Sequence, residues 1–190
     1  PMPEERHLST QRPGIPALIF FCLFISSAAF FNPVEYDNTS SRYYTVFSIV
    51  NSSTFDIDAY NDWTIDKSYF NGHYYSNKGI GAPLLGAPVY SLLRSLPPTR
   101  DLPPMSKGNR YFIRLFTTSL PFALLGVIMF RLAIQFGAEE RKALLMVASY
   151  GLGSIALIHS AQFSGHQITA CALFTSFSLL SMSARSTPVQ

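Results

Sequence analysis

Lys78 lies in a stretch of glycines, aromatic residues and amides, residues 71–90 (NGHYYSNKGIGAPLLGAPVY), inside a long polar segment. A lysine ammonium attracts an anionic phosphate as a point charge, and neighbouring glycines let backbone N–H groups approach the same anion. Arg42 is the second candidate, because a guanidinium binds two phosphate oxygens at once. The alternatives are a solvated loop lysine for Lys78 and a headgroup anchor for Arg42.

Five aspartates of the same segment could supply a carboxylate. A carboxylate at the mouth of a membrane cavity takes a proton from an attacking hydroxyl or holds a divalent cation. Asp37 is the best placed, since it comes soon after the first apolar tract, and solubility alone would explain most of the others. The five are Asp37, Asp56, Asp58, Asp62 and Asp66.

Three histidines are candidate metal ligands, but no short-spacing ligand motif accompanies them, so no metal ligand is assigned from the sequence. His166 stands in a Gly-His-Gln sequence at a predicted helix start, where capping or packing is the alternative to binding a substrate. Tyr75 and its neighbouring tyrosines could line a path for a sugar or a lipid, and an aromatic belt at a membrane interface explains them equally well. The histidines are His73, His159 and His166.

Charge is scarce and unevenly spread in this chain of 190 residues. Charged residues make up 13% of it, about half the usual share. Almost none fall in residues 13–34, 115–130 or 143–184, which indicates an integral membrane protein with lipids around it. The net charge of +3 comes without a dense basic run, which excludes nucleic acid as a partner. Cys22 and Cys171 lie in apolar tracts, as small core or lipid-facing residues do.

The pattern predicts an all-α polytopic membrane protein with four transmembrane helices, at residues 15–34, 111–136, 143–161 and 165–184. Residues 1–14 form a cytoplasmic tail. The first outer loop, residues 35–110, holds two interfacial helices at 41–51 and 82–96, with an irregular segment at 52–70 and a turn at Asn71-Gly72. Arg114 and Arg131, near the ends of the second span, are expected to snorkel to opposite headgroup regions.

Basic residues in short flanks set the orientation of a membrane protein. They place both termini in the cytoplasm, so the long loop and the turn at residues 159–166 share the outer face and can meet. The residues that decide this are Arg6, Arg12, Arg131, Arg141, Lys142 and Arg185.

The order of these features resembles a known family. A first span precedes a long outer loop with a Ser41-Arg42 helix start, then Gly-x-Tyr-Tyr-Ser-x-Lys ending at Lys78, then an apolar Pro-Val-Tyr. This order resembles the polytopic glycosyltransferases of the GT-C fold that use polyprenyl-phosphate sugars, among them protein O-mannosyltransferase, aminoarabinose transferase and bacterial family-39-like proteins. Residues 148–154 and 163–167 also resemble the third and fourth spans of the bacterial members.

The resemblance implies an inverting glycosyltransferase of the bacterial inner membrane, which moves a sugar from a polyprenyl-phosphate donor to an acceptor on the outer face. The phosphate-binding arginine and lysine of the family match Arg42 and Lys78. The acidic pair of the family falls on Thr39 and Ser40, which leaves Asp37 as the candidate base. No cofactor is assigned, a divalent metal ion being one candidate. Family members have many more spans, so we expect this chain to be an N-terminal portion, inactive by itself.

The alternative function is a non-catalytic membrane protein that binds an anionic lipid headgroup or a partner subunit through the same loop. It needs the cations Arg42 and Lys78 but no carboxylate. The enzyme hypothesis, by contrast, predicts Asp37, Arg42 and Lys78 around one cavity above the helices.

Overall fold

The computed structural model describes residues 14–30 and 37–186, and helices dominate that part of the chain. The all-α class is therefore confirmed in its coarse form. The predicted tail, apart from Gly14, and the end of the first predicted span lie outside the described residues. The helices are α1 Gly14–Ala29, α2 Asp37–Ser52, α3 Gly81–Ser95, α4 Pro97–Arg100, α5 Lys107–Arg114, α6 Leu120–Gln135, α7 Glu140–Gly153, α8 Ala156–Ser160 and α9 Gly165–Ser186.

Shorter elements complete this part of the chain. A 3-10 helix covers Asp58–Trp63, and a π-helical segment at Leu115–Ser119 joins α5 to α6. Threonines in the π-helical segment bond back to the preceding turn, since Thr117 Oγ1 donates to the Ile113 carbonyl at 2.6 Å and Thr118 Oγ1 to the Arg114 carbonyl at 2.8 Å. Such back-bonding bends a helix, and the helical path continues through it.

One helical stretch among the described residues is long and apolar enough to cross a membrane. It is Lys107–Gln135, with 29 residues and a mean hydropathy of 1.8 in its best window, half of which is buried within the protein. A buried core helix passes the same test. Helix α1 is apolar but has only 16 residues, fewer than the roughly 20 that cross a bilayer. Helix length and hydropathy therefore leave the four spans as a proposal.

A β-hairpin forms within the segment that the sequence predicts to be partly irregular. Strands β1 Lys67–Phe70 and β2 His73–Ser76 pair antiparallel, with Lys67 opposite Ser76. The connecting residues Asn71 and Gly72 have φ of 50° and 91°. A two-residue turn of this hand needs positive φ at both positions, which asparagine and glycine tolerate. The predicted turn is confirmed. The prediction of an irregular segment at residues 52–70 was wrong for Lys67–Phe70, which form a strand.

The two predicted loop helices are present as α2 and α3, and they pack on each other over an aromatic core. Phe47 of α2 meets Tyr90 of α3 with ring centroids 4.8 Å apart. Gly86 lets α3 approach closely, because a Cβ there would lie 3.0 Å from Val46 and 3.1 Å from Phe163. The ring centroids of Phe163 and Tyr43 are also 4.7 Å apart, so the residues just before α9 pack against α2.

A second core joins the apolar helices α1, α6 and α7. Leu23 of α1 inserts between two glycines, Gly126 of α6 and Gly151 of α7. A Cβ on either glycine would lie 2.3 Å from a δ carbon of Leu23. Small residues at such crossings let helices pack backbone to backbone, as they do in membrane bundles. Ile19, Phe122 and further apolar residues surround this contact.

Arg114 contradicts the prediction that it snorkels to a headgroup region. Its side chain is only 1% exposed. Its Nη1 donates to the Ser27 carbonyl at 2.9 Å and its Nη2 to the Ala28 carbonyl at 3.3 Å, near the end of α1. Carbonyls at a helix C-terminus lack intrahelical partners and carry partial negative charge, so they attract a buried cation. Arg131, at the other end of the span, is exposed.

Three serine hydroxyls extend this contact into a serine–arginine network, made of Ser27, Arg114, Ser119 and Ser160. Ser27 Oγ donates to Ser119 Oγ at 2.8 Å, and Ser160 Oγ bonds to Ser27 Oγ at 2.9 Å. Arg114 Nη1 also lies 3.3 Å from Ser119 Oγ. The network joins α1, the π-helical segment and α8 through polar groups that are all buried.

Replacement of Arg114 by methionine tests this network. We expect Arg114→Met to lower the free energy of unfolding by about 3 kcal/mol, because buried carbonyls of α1 and a serine hydroxyl lose their donor. The measurement is chemical unfolding of the purified protein in detergent micelles. Arg131→Met, at the exposed end of the same span, is the matched control and should change the free energy little. Equal losses in the two variants would contradict the role of the network.

Candidate functional site

The two predicted phosphate ligands are brought to one carboxylate, that of Asp66. Lys78 Nζ lies 2.8 Å from Asp66 Oδ2, in an ion pair with side chains 25% and 15% exposed. Asp66 also acts on Arg42 through its charge. Lys78 follows β2, Asp66 precedes β1 and Arg42 lies on α2, so the hairpin and the helix together form the site. We call Arg42, Asp66 and Lys78 the cation pair site.

Serine hydroxyls hold the backbone of this site in place. Ser41 Oγ donates to the Asp66 carbonyl at 2.7 Å and shares a hydrogen bond of 2.6 Å with Ser76 Oγ. The Lys78 N–H donates to Ser76 Oγ at 3.2 Å. Ser41 is buried in α2. The two ends of the hairpin are therefore tied to the helix turn that carries Arg42.

Asp66 is a carboxylate rather than a carboxylic acid at neutral pH. Burial raises the pKa of Asp66, but hydrogen bonds from Lys78 and Asn77 and the charges of Lys78 and Arg42 outweigh it, so the pKa lies below its usual value. Burial lowers the pKa of Arg42 while the charge of Asp66 raises it, and a guanidinium stays protonated in any protein. The cation pair site thus carries two positive charges and one negative charge.

Arg42 faces the start of α9. Its two recorded hydrogen bonds leave from Nη1, to the Asn38 carbonyl at 2.7 Å and to Asn38 Oδ1 at 3.0 Å. A Cβ on Gly165, the first residue of α9, would lie 3.7 Å from Nη2 and 4.0 Å from Nε of Arg42. The Nη2–Nε edge of the guanidinium therefore lies over the α9 start, next to the candidate ligand His166.

Two histidines lie together at that helix start. The ring centroids of His159 and His166 are 5.0 Å apart. The His166 N–H donates to Ser164 Oγ at 3.3 Å, and Ser164 Oγ lies 3.4 Å from His159 Nδ1. A serine that accepts such a bond ahead of a helix is an N-cap. His166 therefore belongs to a capped first turn of α9 beside Arg42.

Asp37, the predicted base, contacts Ile65, the residue before Asp66 in the chain. It is exposed at the start of α2, and its Oδ1 accepts a hydrogen bond from the Ile65 N–H at 3.3 Å. Its carbonyl accepts a bond from Thr64 Oγ1 at 3.4 Å. Asp37 thus holds the residues that lead into Asp66.

Tyr75 projects from the other face of the hairpin. It pairs with Ser68 and forms an isolated bridge with Asp56. Side chains alternate along a strand, so Tyr75 points away from the face that carries Tyr74 and Ser76. The structure therefore separates Tyr75 from the hydroxyl that contacts Ser41.

Asp66 is the residue of the cation pair site that sequence reasoning did not single out. It was one of five aspartates and had no distinguishing neighbour in the chain. The Asn71-Gly72 turn could have identified it, because a two-residue turn fixes which residues of the two strands face each other. In that register Lys67 lies opposite Ser76, so Asp66 comes beside Asn77 and Lys78. Ser41 and Ser76 were also not singled out, and only tertiary packing brings those two together.

Asp56, Asp58 and His73 are the group of candidate metal ligands in the part of the chain that the structure describes. Their candidate ligand atoms lie within 4.8 Å of one another. The Tyr74 N–H donates to Asp58 Oδ1 at 2.7 Å, and His73 Nδ1 lies 2.6 Å from Asp58 Oδ2. Both oxygens of Asp58 thus already have protein partners, and a metal ion would have to displace His73 from one of them.

No protein-family model, curated protein or solved structure matches this chain. The resemblance to GT-C glycosyltransferases therefore stays an expectation based on residues 72–78 and their surroundings. The function has to be argued from the site itself.

The Asp58–His73 pair predicts a shifted histidine titration. The hydrogen bond and charge of Asp58 raise the pKa of His73 above 6.5, while the Tyr74 N–H and His73 lower that of Asp58. The stabilisation from His73 is present below about pH 6.5 and is lost as pH rises through its folded pKa; that from Asp58 is lost as pH falls through its own lowered pKa. The pair thus stabilises the hairpin most in mildly acidic solution.

NMR titration of the His73 ring measures this directly. We expect Asp58→Asn to bring the pKa of His73 down toward that of a free histidine. Asp62→Asn, an exposed change in the same 3-10 helix, is the control and should leave it in place. A His73 pKa that does not respond to Asp58→Asn would contradict the pair.

Proposed function

We propose that the chain is an integral membrane glycosyltransferase, or the N-terminal part of one, that transfers a sugar from a polyprenyl-phosphate donor to an acceptor on the outer face. The observation that carries the proposal is the meeting of Arg42 and Lys78, far apart in sequence, at one site beside the start of α9. A phosphate on a lipid is the ligand that such a pair fits beside a membrane.

The donors of the site support phosphate binding. A lysine ammonium has three N–H donors, and the ion pair with Asp66 occupies one direction around Lys78. A guanidinium has five, and the recorded bonds of Arg42 leave from Nη1. The Nη2–Nε edge of Arg42 is the fork that binds two oxygens of one phosphate.

The apolar helices support a membrane setting. Helices α1, α7 and α9 expose large apolar side chains over much of their length, which a soluble monomer seldom does. The proposal places these faces in lipid, keeps the four predicted spans and sets both termini in the cytoplasm, with α2, the hairpin and α3 on the outer side. Examples of these exposed side chains are Leu18, Phe21, Ile25, Leu145, Leu152, Leu173, Phe177 and Leu180.

In the proposed reaction the acceptor hydroxyl gives its proton to a carboxylate, and its oxygen bonds to the anomeric carbon. The bond from that carbon to the phosphate oxygen breaks, so the configuration inverts and polyprenyl phosphate leaves. Arg42 and Lys78 stabilise the negative charge that develops on the phosphate. Asp37 is the candidate base, because it is exposed and Asp66 is already paired with Lys78.

The second candidate is the non-catalytic protein that binds an anionic lipid headgroup. Two observations favour it. The Asp37 carboxylate accepts a hydrogen bond from the Ile65 N–H, a structural role. Thr39 and Ser40, where the resembled family has its acidic pair, are buried and carry no charge. A headgroup-binding protein needs neither residue to be acidic.

A transfer assay tests the proposal. We expect Lys78→Ala or Arg42→Ala to lower sugar transfer from a labelled polyprenyl-phosphate donor about 10²-fold to 10³-fold, the effect of removing one donor to a developing anion. The assay uses the full-length protein that contains this chain, in liposomes with the donor supplied in the bilayer. Lys142→Ala, which removes an exposed lysine paired with Glu139, is the control.

The outcomes separate the two candidates. Transfer that falls in both site variants and persists in the control supports the enzyme. Donor binding that falls in the site variants, without transfer in any form of the protein, supports the headgroup-binding alternative. Transfer that is unchanged in Lys78→Ala removes Lys78 from the mechanism.

A further inference from the structure

The cation pair site contains an anionic side chain of its own, the carboxylate of Asp66. Asp66 lies 2.8 Å from Lys78, and its backbone is fixed by the bond from Ser41 to its carbonyl. Because the chain holds Asp66 in place, an incoming phosphate has to bind beside the carboxylate rather than replace it. The ligand therefore meets two cations and one anion, a formal charge of +1.

Neighbouring charges do not alter this count. Lys67 adjoins Asp66 in sequence, but its ammonium bonds to the Asn61 carbonyl and lies 4.8 Å from the centre of the Tyr74 ring. Asp37 bonds to the Ile65 N–H. These two side chains have opposite charges, so together they add none.

We infer that Asp66 makes this site selective for a singly charged phosphodiester over a phosphomonoester or a diphosphate. A phosphodiester carries one negative charge and neutralises the site. A phosphomonoester carries close to two at neutral pH, and a diphosphate at least two, so each leaves a net negative charge close to Asp66. Removing an anion from water costs a free energy that rises with the square of its charge, whereas its attraction to a site of charge +1 rises only in proportion to that charge. The second charge is therefore incompletely compensated, which costs about a tenfold loss of binding in a partly exposed site.

The inference rests on the phosphate site of the proposed function and adds the class of phosphate to it. Two kinds of lipid carry phosphodiesters, a polyprenyl-phosphate sugar and a glycerophospholipid. Their shared chemistry is the single charge, and the hydrophobic part distinguishes them.

Asp66→Asn is the decisive variant. Asparagine keeps the shape and an acceptor oxygen for Lys78 and Asn77, but raises the formal charge of the site to +2. We expect the wild-type protein to bind the phosphodiester about tenfold more tightly than the diphosphate, and Asp66→Asn to abolish or reverse that preference. Asp66→Glu keeps the charge and should retain the preference. Asp62→Asn removes an exposed aspartate of the same loop and should also retain it.

The measurement is binding of four lipids to the purified protein in micelles of a detergent without phosphate, with thermal unfolding recorded to verify that each variant is folded. One pair is a sugar-linked polyprenyl phosphodiester and the corresponding polyprenyl diphosphate. The other pair is phosphatidylglycerol, a phosphodiester, and phosphatidic acid, a phosphomonoester. The pair that binds more tightly identifies the source of the phosphate.

Each result decides one question. A preference that is lost in folded Asp66→Asn and kept in Asp66→Glu supports the inference. Binding without a preference, or a preference that Asp66→Asn leaves intact, overturns the inference and leaves the phosphate site standing. Absence of binding by all four lipids overturns both the inference and the phosphate site of the proposed function.

Discussion

The arrangement of the chain depends on a buried positive charge, that of Arg114. A guanidinium among apolar helices is costly unless acceptors surround it. The acceptors here are carbonyls at the end of α1 and the hydroxyl of Ser119, and Ser27 and Ser160 extend the contact. The network is satisfied only when α1, the π-helical segment and α8 meet at one place. Small shifts of any of the three would leave a buried polar group without its partner, which fixes their relative positions.

The serine–arginine network also helps to determine where the cation pair site lies. Ser160 ends α8, and three residues later Phe163 enters the aromatic core against Tyr43 of α2. Ile113, next to Arg114, belongs to the same core. The short turn between α8 and α9 is therefore held from both sides, and Gly165 comes to lie against Arg42. The apolar helices and the polar loop thus form one structure, joined where the serine–arginine network meets the aromatic core.

Local signals in the sequence predicted the two loop helices and the turn, whereas the predicted third span, residues 143–161, is divided between α7 and α8. The loop helices follow from apolar spacing, and the hairpin turn from Asn71-Gly72, whose φ values few other residues adopt. The site was predicted only in part. Arg42 and Lys78 could be named by residue type, whereas the choice of Asp66 among five aspartates required the register of the hairpin. The burial of Arg114 could not be predicted, because its partners are backbone carbonyls distant in the chain. The order of side chains in the sequence does not indicate which carbonyls will meet a given arginine.

A carboxylate inside the proposed phosphate site looks unfavourable, because it weakens the attraction for any phosphate. Two bare cations, however, repel each other and draw apart when no ligand is bound, and binding then has to reorder both side chains. Asp66 holds Lys78 and attracts Arg42 in the absence of ligand, so less ordering remains when a phosphate arrives. Such a site is expected to bind highly charged anions less tightly than two unpaired cations would, but to keep the same geometry with and without ligand. At the membrane surface that the proposed function requires, we expect geometry together with a net charge of one to distinguish phosphates better than strong attraction alone.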